Sequence, residues 1–378
     1  MIPCQRHLFD IPDDVAYLNC AYLSPLMHSV REAGVRGVDR KVQPWKIHSE
    51  DFFTEADQAR VLFADLIGAT GDDIAIVPAA SYGAAVAAAN IVLPAGSRVV
   101  VIAEQHPSNV LAWRELAARC GAEVHTVPRP EDEDWTRALL ATIDDRVSLV
   151  AVPPCHWTDG GIVDVVAIGV RCREVRAAYF LDLTQATGVM PFDVAKVQPD
   201  FAVTATYKWL LGPYTLGFLY VAPHRQAGQP IEHSMFQREL GEQFGSPVVY
   251  PHEFQAGARR FDMGERANFA LMPMAMAAIE QLLGWGVAKI GATLRVRTRA
   301  IAERAAGLGF SYVPHHLRAD HFLGLRMANG LPDGLIERLA EANVMVSLRG
   351  GTSLRITPHL WNTDADIDRL FEALATAL

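Results

Sequence analysis

Lysine is scarce in this sequence: Lys41, Lys46, Lys196, Lys208 and Lys289 are the only ones among 34 basic residues. Against 43 acidic residues the formal net charge is -9. No segment gathers the cations into a stripe that could follow a phosphate backbone, so nucleic acid is not an expected partner. Cysteine is sparse as well. Cys4, Cys20, Cys120, Cys155 and Cys172 are odd in number, widely spaced and free of any C-x-x-C pair, which argues against a disulfide framework and for reduced, packed thiols. Thirteen histidines include the neighbours His315 and His316, but H-E-x-x-H is missing and no metal site is expected. There is no G-x-G-x-x-G after a strand and no P-loop, which removes the simplest nicotinamide and nucleotide readings. The most apolar stretch, 74–93, is interrupted by Pro78, Ser81, Tyr82, Gly83 and Asn90, and reads as strand, turn and helix rather than a membrane span. Residues 1–10 have neither a basic lead nor an apolar core, so no secretion signal is expected and the predicted location is the cytoplasm.

What is present is a long chain, 378 residues with 50% hydrophobic content, enough for more than one packed unit. From about 70 to 225, short β-branched runs alternate with longer amphipathic stretches, the pattern of a largely parallel sheet covered by helices. Strands are predicted at 74–77, 98–103, 123–127, 147–152, 178–183, 200–204 and 216–221, with helices at 82–92, 108–120, 135–143 and 164–176. After about 260 the pattern changes to a Met- and Ala-rich helix, then to isolated strands at 322–327, 344–348 and 353–357, which predicts a smaller α+β unit. Met272, Met274 and Met276 read as a core stripe.

Lys208 stands apart from the other lysines because it follows the apolar run FAVTAT and precedes Trp209, Leu210, Leu211, Gly212 and Pro213. Apolar neighbours disfavour the ammonium form, which suits a lysine for carbonyl chemistry, although a strand-end lysine can also simply reach for solvent. Asp182 ends the strand AYFLDL, and Gln185 follows three residues later. Ligands of open α/β sheets lie outside the carboxyl ends of the strands, so Asp182 and Lys208 are expected to converge on one crevice. This pairing fits pyridoxal phosphate, whose ring nitrogen needs an acid to stay protonated and whose 3′ oxygen Gln185 can meet. Ala80, Ser81, Tyr82 and Gly83 form a small-residue turn that opens a helix, a natural phosphate cradle; a serine there is equally compatible with an ordinary N-cap. Thr206 and Tyr207 can add hydroxyls to the same phosphate. His106, in EQHPSN, offers a flat ring for stacking, and Arg355, in SLRIT, a planar fork for a substrate carboxylate.

These segments together resemble the class V aminotransferase family of fold-type I pyridoxal-phosphate enzymes. The resemblance runs through YLNCAYLSP at 17–25, AASYGAAVAAAN at 79–90, EQHPSNVLAW at 104–113, HWTDGGIVDVVAI at 156–168, LDLTQATG at 181–188, TYKWLLGP at 206–213, RRFDMGE at 259–265 and LRITPHLWNTDADIDRL at 354–370. It implies an α/β large domain with a mostly parallel seven-stranded sheet (20–258), a small α+β domain (1–19 with 259–378) and a homodimer with shared active sites. It assigns the cofactor's Schiff base to Lys208, the ring nitrogen to Asp182, the 3′ oxygen to Gln185, stacking to His106 and the carboxylate of an amino-acid substrate to Arg355. Aminotransfer is the expected reaction, with a lyase or an epimerase as the alternative and a catalytically degenerate cofactor-binding protein as a further one. Two departures bear on this. No cysteine follows Cys172, and only Arg349-Gly350-Gly351-Thr352 stands where desulfurases of the family carry a cysteine loop, while Tyr207 is closer to the kynureninase and isopenicillin N epimerase branches. Glu265 follows Gly264 where the family places a threonine toward a partner's phosphate; it either turns away or is neutralised by Arg259, Arg260 and Arg266.

Overall fold

The computed structural model describes residues 1–239 and 250–378. The large sheet consists of β1 (Ile74–Val77), β2 (Arg98–Ile102), β3 (Glu123–Val127), β4 (Val147–Val152), β5 (Ala178–Asp182), β6 (Phe201–Ala205) and β7 (Gly217–Val221), in the order β1-β7-β6-β5-β4-β2-β3. Every neighbouring pair is parallel except the two made by β7. Because β7 runs against both β1 and β6, those two strands point the same way. The carboxyl ends of β1, β2, β4, β5 and β6 therefore share one edge of the sheet. β1, β5, β6 and β7 are buried along their whole length. Such two-sided burial is why they read as continuous apolar runs instead of alternating ones.

The helices of eight or more residues are α1 (His28–Arg40), α2 (Thr54–Ile67), α3 (Ala80–Asn90), α4 (Leu111–Cys120), α5 (Trp135–Thr142), α6 (Val165–Val175), α7 (Leu271–Trp285), α8 (Val287–Ala306) and α9 (Asp364–Ala377), among the described residues. Asn268 caps α7 by accepting from the amides of Ala270 and Leu271, an asparagine doing what its short side chain does best. Met272 is fully buried in the core beneath the large sheet, with Met274 and Met276 packed against it. Among the described residues, no single helix is long and apolar enough to cross a membrane.

A second sheet joins β8 (Leu323–Leu325), β9 (Ser347–Arg349) and β10 (Ser353–Ile356), all antiparallel, in the order β9-β10-β8. The expected strand 344–348 is in fact two. Val344 and Met345 pair in parallel with Ala16 and Tyr17, and the chain then turns at Val346 so that Ser347 joins β10. We propose the two-domain division from the chain pattern, 20–258 against 1–19 with 259–378. Packing draws one seam differently: α7 and Ile290 and Leu294 of α8 share the core of the large sheet, while Ile301, Ala302 and Ala305 join the core of the small one.

Candidate active site

Two β ends and one helix start converge on the shared edge. Asp182 closes β5, and its Oδ1 accepts the amide of Thr184 at 3.0 Å. The turn that follows brings Gln185 back toward the sheet, and Gly188 completes it at φ +95, where a Cβ would sit 2.4 Å from the carbonyl oxygen of Trp209. Only glycine tolerates both the backbone angle and that approach, which explains the last residue of LDLTQATG. Beyond β6, Leu211 takes φ +54 and Gly212 donates to the carbonyl of Thr206, closing a tight loop. Trp209, Leu210 and Leu211 are buried and anchor that loop, leaving Lys208 on its cavity side.

The result is a cavity of about 340 Å³ lined by Ser81, Gln105, His106, Asp182, Gln185, Tyr207 and Lys208 among others. Lys208 is 8% exposed, and its Nζ lies 5.5 Å from the Tyr207 ring with no hydrogen-bond or ion-pair partner among the described residues. Burial, followed by repulsion from Arg355, pulls its pKa down to about 8, with Asp182 partly opposing. Gln185 is held from both ends: its Oε1 accepts from the Trp209 indole at 2.8 Å and its Nε2 donates to Ala21 at 3.2 Å. His106 meets Trp157 edge to face at 5.3 Å, and burial lowers its pKa against the pull of Asp182, which favours the neutral ring. Burial raises the Tyr207 phenol to about 12.

Helix α3 begins at the same edge, and its first turn leaves the amides of Ala80 and Ser81 without a carbonyl partner among the described residues. Ser81 is not the N-cap; Ala79 is, and no side chain caps this end. A helix start with free N–H groups facing a cavity is an anion site. Gly83 lets α3 lie close to the sheet, since a Cβ there would fall 2.5 Å from Val203 Cγ2. Gly83→Val is expected to cost roughly 3 kcal/mol by overpacking. It should also displace the cradle, and urea unfolding with a cofactor-retention assay would detect both; unchanged values of the two would show that α3 does not depend on this contact.

Two expected phosphate contacts lie elsewhere. The Thr206 hydroxyl is fully buried and donates to the carbonyls of Pro213 and Leu216 at 2.5 and 3.0 Å, so it serves the loop and not the cavity. Tyr82 turns away along α3, with its hydroxyl 3.5 Å from the Asp262 carbonyl. Glu265 is exposed, whereas Arg259 pairs with Asp57 and Asp72 and Arg266 with Asp262. Gln105 was not foreseen. It lines the cavity, and its Nε2 is buried without a partner among the described residues.

A second hollow of about 470 Å³ opens from the first, sharing His106, Trp157, Tyr207, Lys208 and Tyr214 and adding Tyr22, Arg349 and Arg355. Arg355 donates from Nε to Ser347 Oγ at 3.1 Å and from Nη1 to the Trp157 carbonyl at 3.0 Å, while its buried Nη2 has no partner among the described residues. Burial and the neighbouring Arg349 lower its pKa.

Known proteins share this fold and much of this sequence pattern. The family model described as Aminotransferase class-V matches residues 43–370. An uncharacterized aminotransferase, YcbU, of Bacillus subtilis strain 168 is 27% identical over 329 residues, covering 84% of this chain and 82% of that protein. The isopenicillin N epimerase of Streptomyces clavuligerus is 26% identical over 336 residues, covering 84% and 83%. Among solved structures, the apo cysteine desulfurase of Thermococcus onnurineus NA1 superposes with a TM-score of 0.85 at 18% identity over the whole of both chains. The cystine C-S lyase C-DES, in complex with its product cysteine persulfide, gives 0.84 at 17% identity, covering 96% of this chain and 98% of that one. With the match running over most of its length, the chain belongs to the class-V aminotransferase family and is a pyridoxal-phosphate-dependent enzyme of fold type I.

Proposed function

We propose that the enzyme is an aminotransferase acting at the α-carbon of a small amino acid, with Lys208 as the cofactor-holding lysine and base. The observation that carries this is one cavity in which an unpartnered, depressed-pKa lysine, a buried carboxylate and a free helix start face each other. When bound, pyridoxal phosphate supplies an aldehyde that takes up an amino group and a protonated ring that draws electron density from the α-carbon. The residues fit it. The amides of Ala80 and Ser81, the Ser81 and Tyr207 hydroxyls and the orphaned Gln105 Nε2 would hold the phosphate. Asp182 would hold the ring nitrogen. Gln185 has its oxygen and one amide hydrogen engaged, so one hydrogen is left for the 3′ oxygen. The neutral His106 ring would stack, and the spare Arg355 Nη2 would take the α-carboxylate.

Lys208 then moves the proton. With a pKa of about 8, roughly a tenth of the free amine is unprotonated near neutral pH and ready to act as a base. Where it returns the proton decides the outcome. A desulfurase route through a loop cysteine lacks its nucleophile: no cysteine follows Cys172, a glycine-containing loop links β9 to β10, Cys20, Cys155 and Cys172 are buried, and Cys4 and Cys120 line neither hollow. One observation favours epimerisation as the second reading. Tyr207, with its phenol kept protonated and its ring 4.7 Å from Tyr214, is a second proton donor beside Lys208 in this reading, in which its hydroxyl serves the α-carbon in place of the phosphate. Incubation with amino acids should bleach the visible band and yield a keto acid; an inverted α-carbon without keto acid would replace aminotransfer by epimerisation.

We further propose a homodimer. Val35, Val38, Val42 and Trp45, the last 74% exposed, form an apolar stripe along α1 and the turn after it, larger than isolated surface residues usually make. Trp45→Asp is expected to weaken self-association by about tenfold or more, read by sedimentation with the circular dichroism unchanged. A monomeric parent would end this part of the reading.

A further inference from the structure

The hollow beside Lys208 carries more positive charge than an α-carboxylate requires. Its lining contains Lys208, Arg349 and Arg355 and, among the described residues, no carboxylate. Arg349 sits between two rings, its guanidinium carbon 5.7 Å from Trp157 and 5.9 Å from Tyr22. It donates only to its neighbour Leu348's carbonyl, its Nε is buried without a partner, and it forms no ion pair among the described residues.

The hairpin places this residue deliberately with respect to Arg355. Ser347 pairs with Arg355 and Arg349 with Ser353, so side chains 347, 349, 353 and 355 point to one face. Arg349 and Arg355 are thus diagonal neighbours on that face, about 7 Å apart at the backbone. Gly350 and Gly351, at φ +60 and +72, form with Thr352 the three-residue loop that joins the paired Arg349 and Ser353 and fixes this register, and the two left-handed backbone angles suit glycine. Two guanidiniums on one face, each with a buried and unpartnered nitrogen, repel one another until anions lie between them. Burial and that repulsion lower the pKa of Arg355.

We propose that Arg349 is a specificity-determining residue and that the substrate is an amino acid whose short side chain ends in a second anionic group, of the aspartate or glutamate kind. The α-carboxylate goes to Arg355 and the distal acid to Arg349, with Trp157 and Tyr22 flanking it. The inference rests on the reading of Lys208 and Arg355 given above.

Calorimetric binding of the unreactive anions succinate and butyrate to the cofactor-loaded enzyme tests it without turnover. Succinate is expected to bind at least about tenfold more tightly than butyrate, with the preference shrinking as salt rises. In Arg349→Gln the ratio should fall close to one, and in Arg349→Lys, which keeps the charge but not the fork, it should be intermediate. A ratio near one in the parent, or an undiminished ratio in Arg349→Gln, overturns the proposal. Borohydride fixation of the cofactor separates the two layers of the argument. Loss of label from Lys208 would refute the site assignment, whereas labelled Lys208 with no anion preference would refute only the role of Arg349.

Discussion

Lys208→Met is expected to lower turnover by roughly 10⁴-fold and, at the same time, to stabilise the cofactor-free protein near neutral pH by up to about 3 kcal/mol. The first effect follows from removing the amine that holds the cofactor and moves the proton. The second follows from its environment. Folding lowers the lysine from 10.5 to about 8, so between those values the folded chain binds fewer protons than the unfolded one. Stability of the parent therefore rises with pH across that window, and below it the full penalty of a buried ammonium remains. Methionine carries no charge and escapes the penalty. Its advantage should be largest at pH values below 8 and should fade above 10.5. Urea unfolding of both apoproteins across this range measures it, with Lys208→Arg as the charged control. Equal stabilities near neutral pH would mean that the cavity solvates the ammonium well, and the electrostatic argument for Lys208 would fail with it.

The strands around the site were legible because two-sided burial writes itself as runs such as IAIV and FAVTA, and because Asp182 and Lys208 each follow such a run. Side-chain direction was less legible. Thr206 and Tyr82 are adjacent in sequence to cavity residues, yet one faces the loop's own carbonyls and the other turns along α3 toward Asp262. Adjacency predicts proximity of backbone, not of side chain. Gln105 carried no periodic signal because it lies in a loop. Arg349 carried none either, because alternation cannot be counted through a turn of unknown length: a two-residue Gly-Gly turn would put Arg349 and Arg355 on opposite faces, and only the three-residue loop that pairs Arg349 with Ser353 brings them to one.

The segment RRFDMGE was read as a phosphate contact, and its aspartate turns out to be the anchor of a buried charge cluster. Asp262 is fully buried between Arg60, also fully buried, and Arg266, which is 1% exposed. Its carboxylate pairs with the Arg60 guanidinium, lies 3.1 Å from Arg266 Nε, and accepts the amide of Ile76 at 2.8 Å. Asp262→Ala would leave buried Arg266 without its counter-charge and Arg60 with Asp57 alone, 3.2 Å from its Nε, and the expected loss is about 3 kcal/mol. The loss comes from stranding charge, not from a favourable pair. Replacing all three residues by apolar ones, Arg60→Met with Asp262→Leu and Arg266→Met, is therefore expected to cost less than the single change. A functional effect should accompany it, because Ile76 lies in β1 directly before the Pro78–Ser81 turn. Freeing its amide loosens the strand end that presents the helix start, so cofactor retention should fall in Asp262→Ala even below the unfolding transition. Denaturation midpoints of the single and triple variants, read alongside cofactor release, decide the matter. If the triple variant is the less stable of the two, the cluster contributes net attraction and the stranded-charge account is wrong.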